Sequence, residues 1–155
     1  MTQGLHIRRL DADEPAFEFV ARWRYDAFFA QDGGTFEESR DALHAWMEGL
    51  GYEMALLAEV NGQPAGSCLF VREEFDPKHD LTPWLAALYV APEFRKLGIA
   101  SALVRAIEQH ARGVGCRELY LYTVTAELLY AKLGWTACDR FESNGETFVL
   151  MAREL

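Results

Sequence analysis

Leu88-Tyr89-Val90-Ala91-Pro92-Glu93-Phe94-Arg95-Lys96-Leu97-Gly98-Ile99-Ala100-Ser101 is the stretch on which the fold turns. An apolar run, Trp84 to Val90, has the character of a strand buried on both faces, and Ala91-Pro92 stops it. From Ile99 the apolar period changes from two to that of a helix, with Ile99, Leu103, Ala106 and Ile107 on one face and Ser101, Arg105, Glu108 and Arg112 elsewhere. Gly113 and Gly115 close that helix, and Leu119 to Thr123 reads as the next strand. A strand, a helix and a second strand joined this way make a right-handed crossover between parallel strands.

The flanking segments are built differently. Leu5 to Leu10 reads as a first strand. Asp13 is placed to cap a helix with Pro15 in its first turn and an apolar stripe of Phe17, Val20, Trp23 and Ala27. Gly33-Gly34 ends it, and Thr35 with Glu38 forms a capping box for a second helix carrying Leu43, Trp46 and Leu50. Met54–Val60 and Ala65–Val71 flank Asn61-Gly62, and Trp135–Phe141 and Thr147–Ala152 flank Asn144-Gly145, two hairpin signatures. A short helix, Ala126 to Leu133, precedes the second hairpin. The order β-α-α-β-β-β-α-β-α-β-β predicts an α/β protein: a mixed, mostly antiparallel central sheet with helices on both faces.

The 155 residues read as one domain, residues 1–155, and half of them are hydrophobic, which excludes a disordered chain. A net charge of −9 argues against nucleic acid, which requires a basic footprint. No apolar stretch approaches the ~18 residues of a membrane span, and the N-terminal residues show no leader-like apolar region. Cys68, Cys116 and Cys138 are an odd number at no metal-like spacing, as expected of reduced thiols in a cytoplasmic protein. His6, His44, His79 and His110 show no ligand spacing, so no metal is expected. Charge is unevenly divided: residues 11–80 hold 16 acids and 5 bases, whereas residues 91–117 carry five bases against Glu93 and Glu108. That division fits a cation-accepting wall facing an anion-binding one, and equally a solvated surface.

The mouth of the helix at Gly98 suits a phosphate or pyrophosphate. Its first amides lack intrahelical partners, the helix dipole is positive there, and Gly98 and Ala100 keep side chains out of the way. Arg95 and Lys96 add charge, although Arg95 is equally suited to bracing its own loop.

L-Y-V-A-P-E-F-R-K-L-G-I-A-S-A-L resembles the acyl-CoA-binding motif of the GNAT superfamily of N-acetyltransferases, [Q/R]-x-x-G-x-[G/A]. L-L-Y-A-K-L-G-W resembles that family's last motif, in which a Tyr stands four residues before a Gly. The element order matches too, so the resemblance covers nearly the whole chain and implies the acyl-CoA N-acyltransferase fold. It implies acetyl-CoA as donor and a primary amine as acceptor, with direct attack of one on the other. By position, the backbone of Leu88, Tyr89 and Val90 would hold the pantetheine arm. Arg95, Lys96, Leu97, Gly98, Ile99, Ala100 and Ser101 would hold the pyrophosphate, and Tyr130 would stand near the thioester sulfur as a proton donor. Two departures stand out: Thr123-Val124-Thr125 lacks the Asn that many relatives carry there, and Trp84–Leu88 lacks the acid that many use as a base. Glu73, Glu74, Asp76 and Asp80 are the candidate bases nearest in sequence, with a water chain as the alternative, and Trp84 is a candidate wall of the acceptor pocket. The acceptor itself stays open between a small cationic metabolite and a protein N-terminus or lysine. A non-catalytic acyl-CoA-binding module is the third reading, and a homodimer is compatible with all three.

Overall fold

The computed structural model describes residues 4–49, 51–74 and 77–155. Both Asn-Gly pairs turn tight hairpins with positive φ at each residue, 51° and 83° at Asn61-Gly62 and 52° and 78° at Asn144-Gly145. They join β2 (Met54–Val60) to β3 (Gln63–Val71) and, at the other end of the chain, the last two strands. With β1 (Leu5–Arg9), β4 (Trp84–Val90), β5 (Glu118–Thr123), β6 (Thr136–Ser143) and β7 (Glu146–Glu154), the described residues form a seven-stranded sheet in the order β1-β2-β3-β4-β5-β7-β6. Every neighbouring pair is antiparallel except β4 and β5.

Alternation along the strands divides the core in two. Leu56, Phe70, Leu85, Leu121 and Met151 face α3 (Ile99–Gly113) and α4 (Glu127–Lys132). Leu57, Leu69, Trp84 and Leu150 face α1 (Ala16–Arg24) and α2 (Phe36–Glu48). Helices therefore cover both faces, as the sequence predicts.

The helices depart from expectation in three places. Asp13 does not cap α1; Pro15 is the N-cap, with no side-chain hydrogen bond, and the neighbouring Glu14 is held by Arg8 at 2.6 Å. After Arg24 the helix widens into a π turn, Tyr25–Phe29, so Phe17 and Val20 are buried but Ala27 is rotated to the surface. In α2 the Thr35–Glu38 capping box forms as read, and Leu43 is buried with Met47; Leu50 lies outside the described residues.

The third departure is Glu108, which the helical period puts on the polar side of α3 and which is 1% exposed. It accepts from the Trp135 indole Nε1 at 3.0 Å and from Arg105 at 3.0 Å, with Arg153 Nε at 3.6 Å and Arg112 at 3.9 Å. The carboxylate joins α3 to the start of β6 and to β7. Gly134 makes room for it: a Cβ there would come within 2.4 Å of the Arg153 guanidinium. Replacing Glu108 by Ala leaves a buried indole N–H and part of a guanidinium without an acceptor. Urea titration of Glu108→Ala is expected to show a loss of about 2–3 kcal/mol, toward the low end for a broken buried pair because the arginines reach water.

Candidate active site

β4 and β5 meet at one pair, Trp84 with Tyr120, where the Tyr120 N–H donates to the Pro83 carbonyl at 3.1 Å. Beyond that point they part. The cause lies in β4, where Ala87 and Leu88 together oppose Cys68 of β3 in a bulge, with Ala87 at φ 53°. A bulge bends its own strand and increases its twist, which here carries the C-terminal half of β4 away from β5. Leu88, Tyr89 and Val90 consequently border a gap with no strand partner on the β5 side, and all are half-buried.

The gap leads to the N-terminus of α3. Gly98 caps this helix in the left-handed region at φ 81°, with no side-chain cap. The first intrahelical bond is Ala102 N–H to Gly98 O at 3.1 Å, which leaves the Ile99, Ala100 and Ser101 amides without helical partners. Nothing stands within 4 Å of where a Gly98 Cβ would be, so the amides open onto free space. Lys96 is left-handed as well, at φ 65°, so the loop turns sharply before the helix begins. Ile99 sends its side chain into the core, Ala100 and Ser101 are half-buried, and Lys96 and Leu97 are exposed.

Arg95 has a definite local task. Its Nε donates to the Val90 carbonyl at 2.8 Å and its guanidinium lies 5.5 Å from the Tyr89 ring centroid. Trp23 of α1 covers Tyr89 at 5.6 Å. Arg95 therefore braces the loop that turns from β4 toward α3.

Tyr130 lies on α4, buried against Trp135 at 5.9 Å. Burial, and after it the Cys68 thiol, push its phenol well above the usual range, so it is a neutral hydroxyl at physiological pH. Cys68 is the residue facing the β4 bulge, and Tyr130 belongs to the same buried cluster on the α3/α4 face. Burial likewise keeps the Cys68 thiol protonated. Cys138 is not a packing residue; it is exposed on β6.

On the other face, the turn between β3 and β4 encloses an open pocket of about 360 Å³ bordered by Glu73, Lys78, His79 and Asp80. Trp84 underlies it and is wholly buried, its indole donating to the Leu81 carbonyl at 2.7 Å, so it is a floor and not an exposed wall. Glu73 and Asp80 are exposed there, Glu74 is half-buried, and Asp76 lies outside the described residues. His79 bonds Tyr122 of β5 and Asp139 of β6, a grouping that the sequence does not signal because its members are 43 and 60 residues apart. Among the described residues no group of three or more His, Cys, Asp or Glu is arranged to hold a metal ion, and no helix is long and apolar enough to cross a membrane.

Solved structures share this architecture. A yncA acetyltransferase from Salmonella typhimurium, determined with acetyl-CoA, superposes with a TM-score of 0.77 at 19% identity, covering 98% of this chain and 94% of that one. An aminoglycoside 6'-N-acetyltransferase complexed with coenzyme A gives 0.75 at 16% identity, covering 96% of each chain. In sequence, an uncharacterized N-acetyltransferase of Escherichia coli K12, YjhQ, is 34% identical over 70 residues. That match takes in 44% of this chain and spans 39% of YjhQ. The family model described as Acetyltransferase (GNAT) family matches residues 17–135, most of the chain, and the protein belongs to that family.

Proposed function

We propose that this chain moves the acetyl group of acetyl-CoA onto the primary amine of a small cationic molecule, within a ternary complex. The observation that carries the reading is the continuity of the β4–β5 gap with the partnerless amides at the mouth of α3. Such amides and the helix dipole favour a pyrophosphate, and a strand edge without a neighbour favours an extended amide-bearing arm. In this reading Lys96 to Ser101 hold the pyrophosphate and the backbone of Leu88 to Val90 holds the arm. Arg95 acts through the loop it braces. Bound acetyl-CoA would supply an activated thioester.

The chain's own residues have modest chemistry to perform. The gap holds two reactants in line, which removes much of the entropic barrier. Tyr130, a neutral phenol on the α3/α4 face, gives a proton to the departing sulfur. The acceptor enters from the α1/α2 face, where Glu73 and Asp80 border the pocket. Many of the acids in residues 11–80 are occupied elsewhere: Glu14 and Glu59 with Arg8, Glu18 with Arg40, Glu38 in the capping box. The attraction for a cation therefore rests on the few carboxylates around this pocket and not on the net charge of the half-chain.

Three measurements test the reading. Calorimetry with CoA is expected to show at least a ~100-fold loss of affinity in Gly98→Val, since a branched side chain at φ 81° both strains the cap and fills the space over the amides. Undiminished affinity in a folded variant removes the pyrophosphate assignment. Tyr130→Phe is expected to lower the rate of thiol release from acetyl-CoA by ~10-fold or more, with CoA affinity little changed. Equal rates would make Tyr130 a packing residue. Over a panel of amines and peptides, cationic small amines are expected to turn over best, with KM rising as salt is added. A peptide-only activity, or a best acceptor that is anionic, contradicts the acceptor class.

A further inference from the structure

β6 contains a bulge whose effect is chemical. Thr136 and Ala137 pair with Ala152 and Met151 of β7, but Asp139 pairs with Leu150, so Cys138 is an extra residue in the ladder. Without it Asp139 would lie opposite Val149, on the α3/α4 side of the sheet. With it Asp139 shares a cross-strand row with Leu150 and Tyr122, the partner of Leu150 on β5. Arg140, now opposite Val149, reaches the other face and pairs with Glu127 of α4 at 2.6 Å.

His79 covers this row. Its Nε2 is 2.7 Å from Asp139 Oδ2 and its Nδ1 is 2.8 Å from Tyr122 Oη, while the Lys78 N–H donates to the same Oη at 3.0 Å. The proton positions follow from these contacts. Asp139 is held ionised by its hydrogen bond with His79 and by the Arg140 N–H, which keep its carboxyl below the usual range. A neutral His79 must therefore carry its proton on Nε2, which makes Nδ1 an acceptor and the Tyr122 hydroxyl its donor. Burial raises the Tyr122 phenol, so it passes protons as a neutral hydroxyl. Phe141 at 5.6 Å and Tyr122 at 5.7 Å flank the imidazole, and Trp84 packs against Tyr122 at 4.7 Å, tilted by 36°.

The place matters as much as the bonds. Tyr122 is two residues past Tyr120, the last point at which β4 and β5 are joined, so it is the first residue on the acceptor face beyond the fork. Across the gap, the α1/α2 face of β4 carries Ala86, Ala87 and Tyr89 and no acid.

We propose that Tyr122, His79 and Asp139 form a relay that takes the proton from the acceptor's ammonium group, Tyr122 touching the amine and His79 receiving the proton. The inference rests on the acetyl-transfer reading above. An N–H of the ammonium gives its proton to Tyr122 Oη as the hydroxyl proton passes to His79 Nδ1, and the imidazolium is paired with Asp139. The freed lone pair forms the C–N bond of the amide. The C–S bond breaks, its electrons go to sulfur, and sulfur takes a proton from Tyr130. The second nitrogen proton leaves to solvent, which resupplies Tyr130, and the imidazolium later releases its own to water. Other charges near the relay are Lys78 and Asp80 beside His79, Glu73 at the pocket edge, and Glu74, which acts on Tyr122 through space.

The test is a profile of kcat/KM for one cationic amine from about pH 6 to pH 10. His79→Phe keeps the ring and removes both nitrogens; a deficit of ~30-fold near neutrality is expected, closing above the amine's own pKa where no base is needed. In Asp139→Asn the imidazolium loses its counter-charge, so the rising limb is expected to move to lower pH by about half a unit or more. CoA affinity by calorimetry is unchanged in both. Asp139 is exposed on an edge strand, so its variant decides the matter if His79→Phe does not fold. A deficit in His79→Phe equal at every pH, or a limb that stays in place in Asp139→Asn, overturns the relay while leaving acetyl transfer intact. A wild-type protein that binds CoA but acetylates no amine overturns both.

Discussion

Everything of consequence depends on how little β4 and β5 touch. They are the only parallel neighbours in the described sheet, and parallel strands need a crossover, which α3 supplies. Had the ladder continued past Trp84–Tyr120, the sheet would be closed and the mouth of α3 would face a wall of backbone. The bulge at Ala87-Leu88 prevents this, at the cost of a non-glycine residue in the left-handed region. What holds the fork firm is aromatic packing, with Trp84 against Tyr120 at 5.8 Å and Tyr122 at 4.7 Å. The tryptophan at the vertex is wholly buried, so its ring contacts tie β4 to β5 at the point where they part.

Three bulges, one each in β3, β4 and β6, assign side chains to faces. A strand alternates strictly, so one extra residue exchanges everything that follows between the two cores. The helix mouth and Tyr130 lie on the α3/α4 face, and the pocket and His79 on the α1/α2 face, where the β6 bulge also puts Asp139. In the proposed reaction the two reactants would then approach one point from opposite sides of one sheet. Of the acids in residues 11–80, Glu73 and Asp80 border the pocket, while Glu14, Glu18 and Glu59 are held in ion pairs elsewhere.

Features with local causes were legible in the sequence. Asn-Gly turns, the capping box at Thr35 and the change of period at Ile99 report their own geometry within a few residues, and those strands and helices lie where their patterns put them. Bulges leave no such trace, because the same alternation fits two registers. Hence Asp139 and Tyr122 could not be connected to His79. The π turn at Tyr25–Phe29 misled for a related reason: one added residue per turn moves Ala27 off its stripe without altering composition. Glu108 belongs to a third kind, a charged residue buried because distant partners converge on it.

The absence of an acid from β4 acquires a physical sense from this geometry. A carboxylate on that strand beyond Trp84 would sit beside the proposed acyl-CoA gap and against the buried neighbours of Ala86. On the far side, Asp139 lies on an exposed edge strand, where ionisation costs little, and its charge reaches the fork through His79 and Tyr122. Small residues at Ala86 and Ala87 then leave the vertex uncrowded. Exchanging an acid at the fork for a relay from the edge keeps the charge near water and the basicity near the chemistry. The proposed relay thus answers the acid missing from β4 with another element of the same sheet.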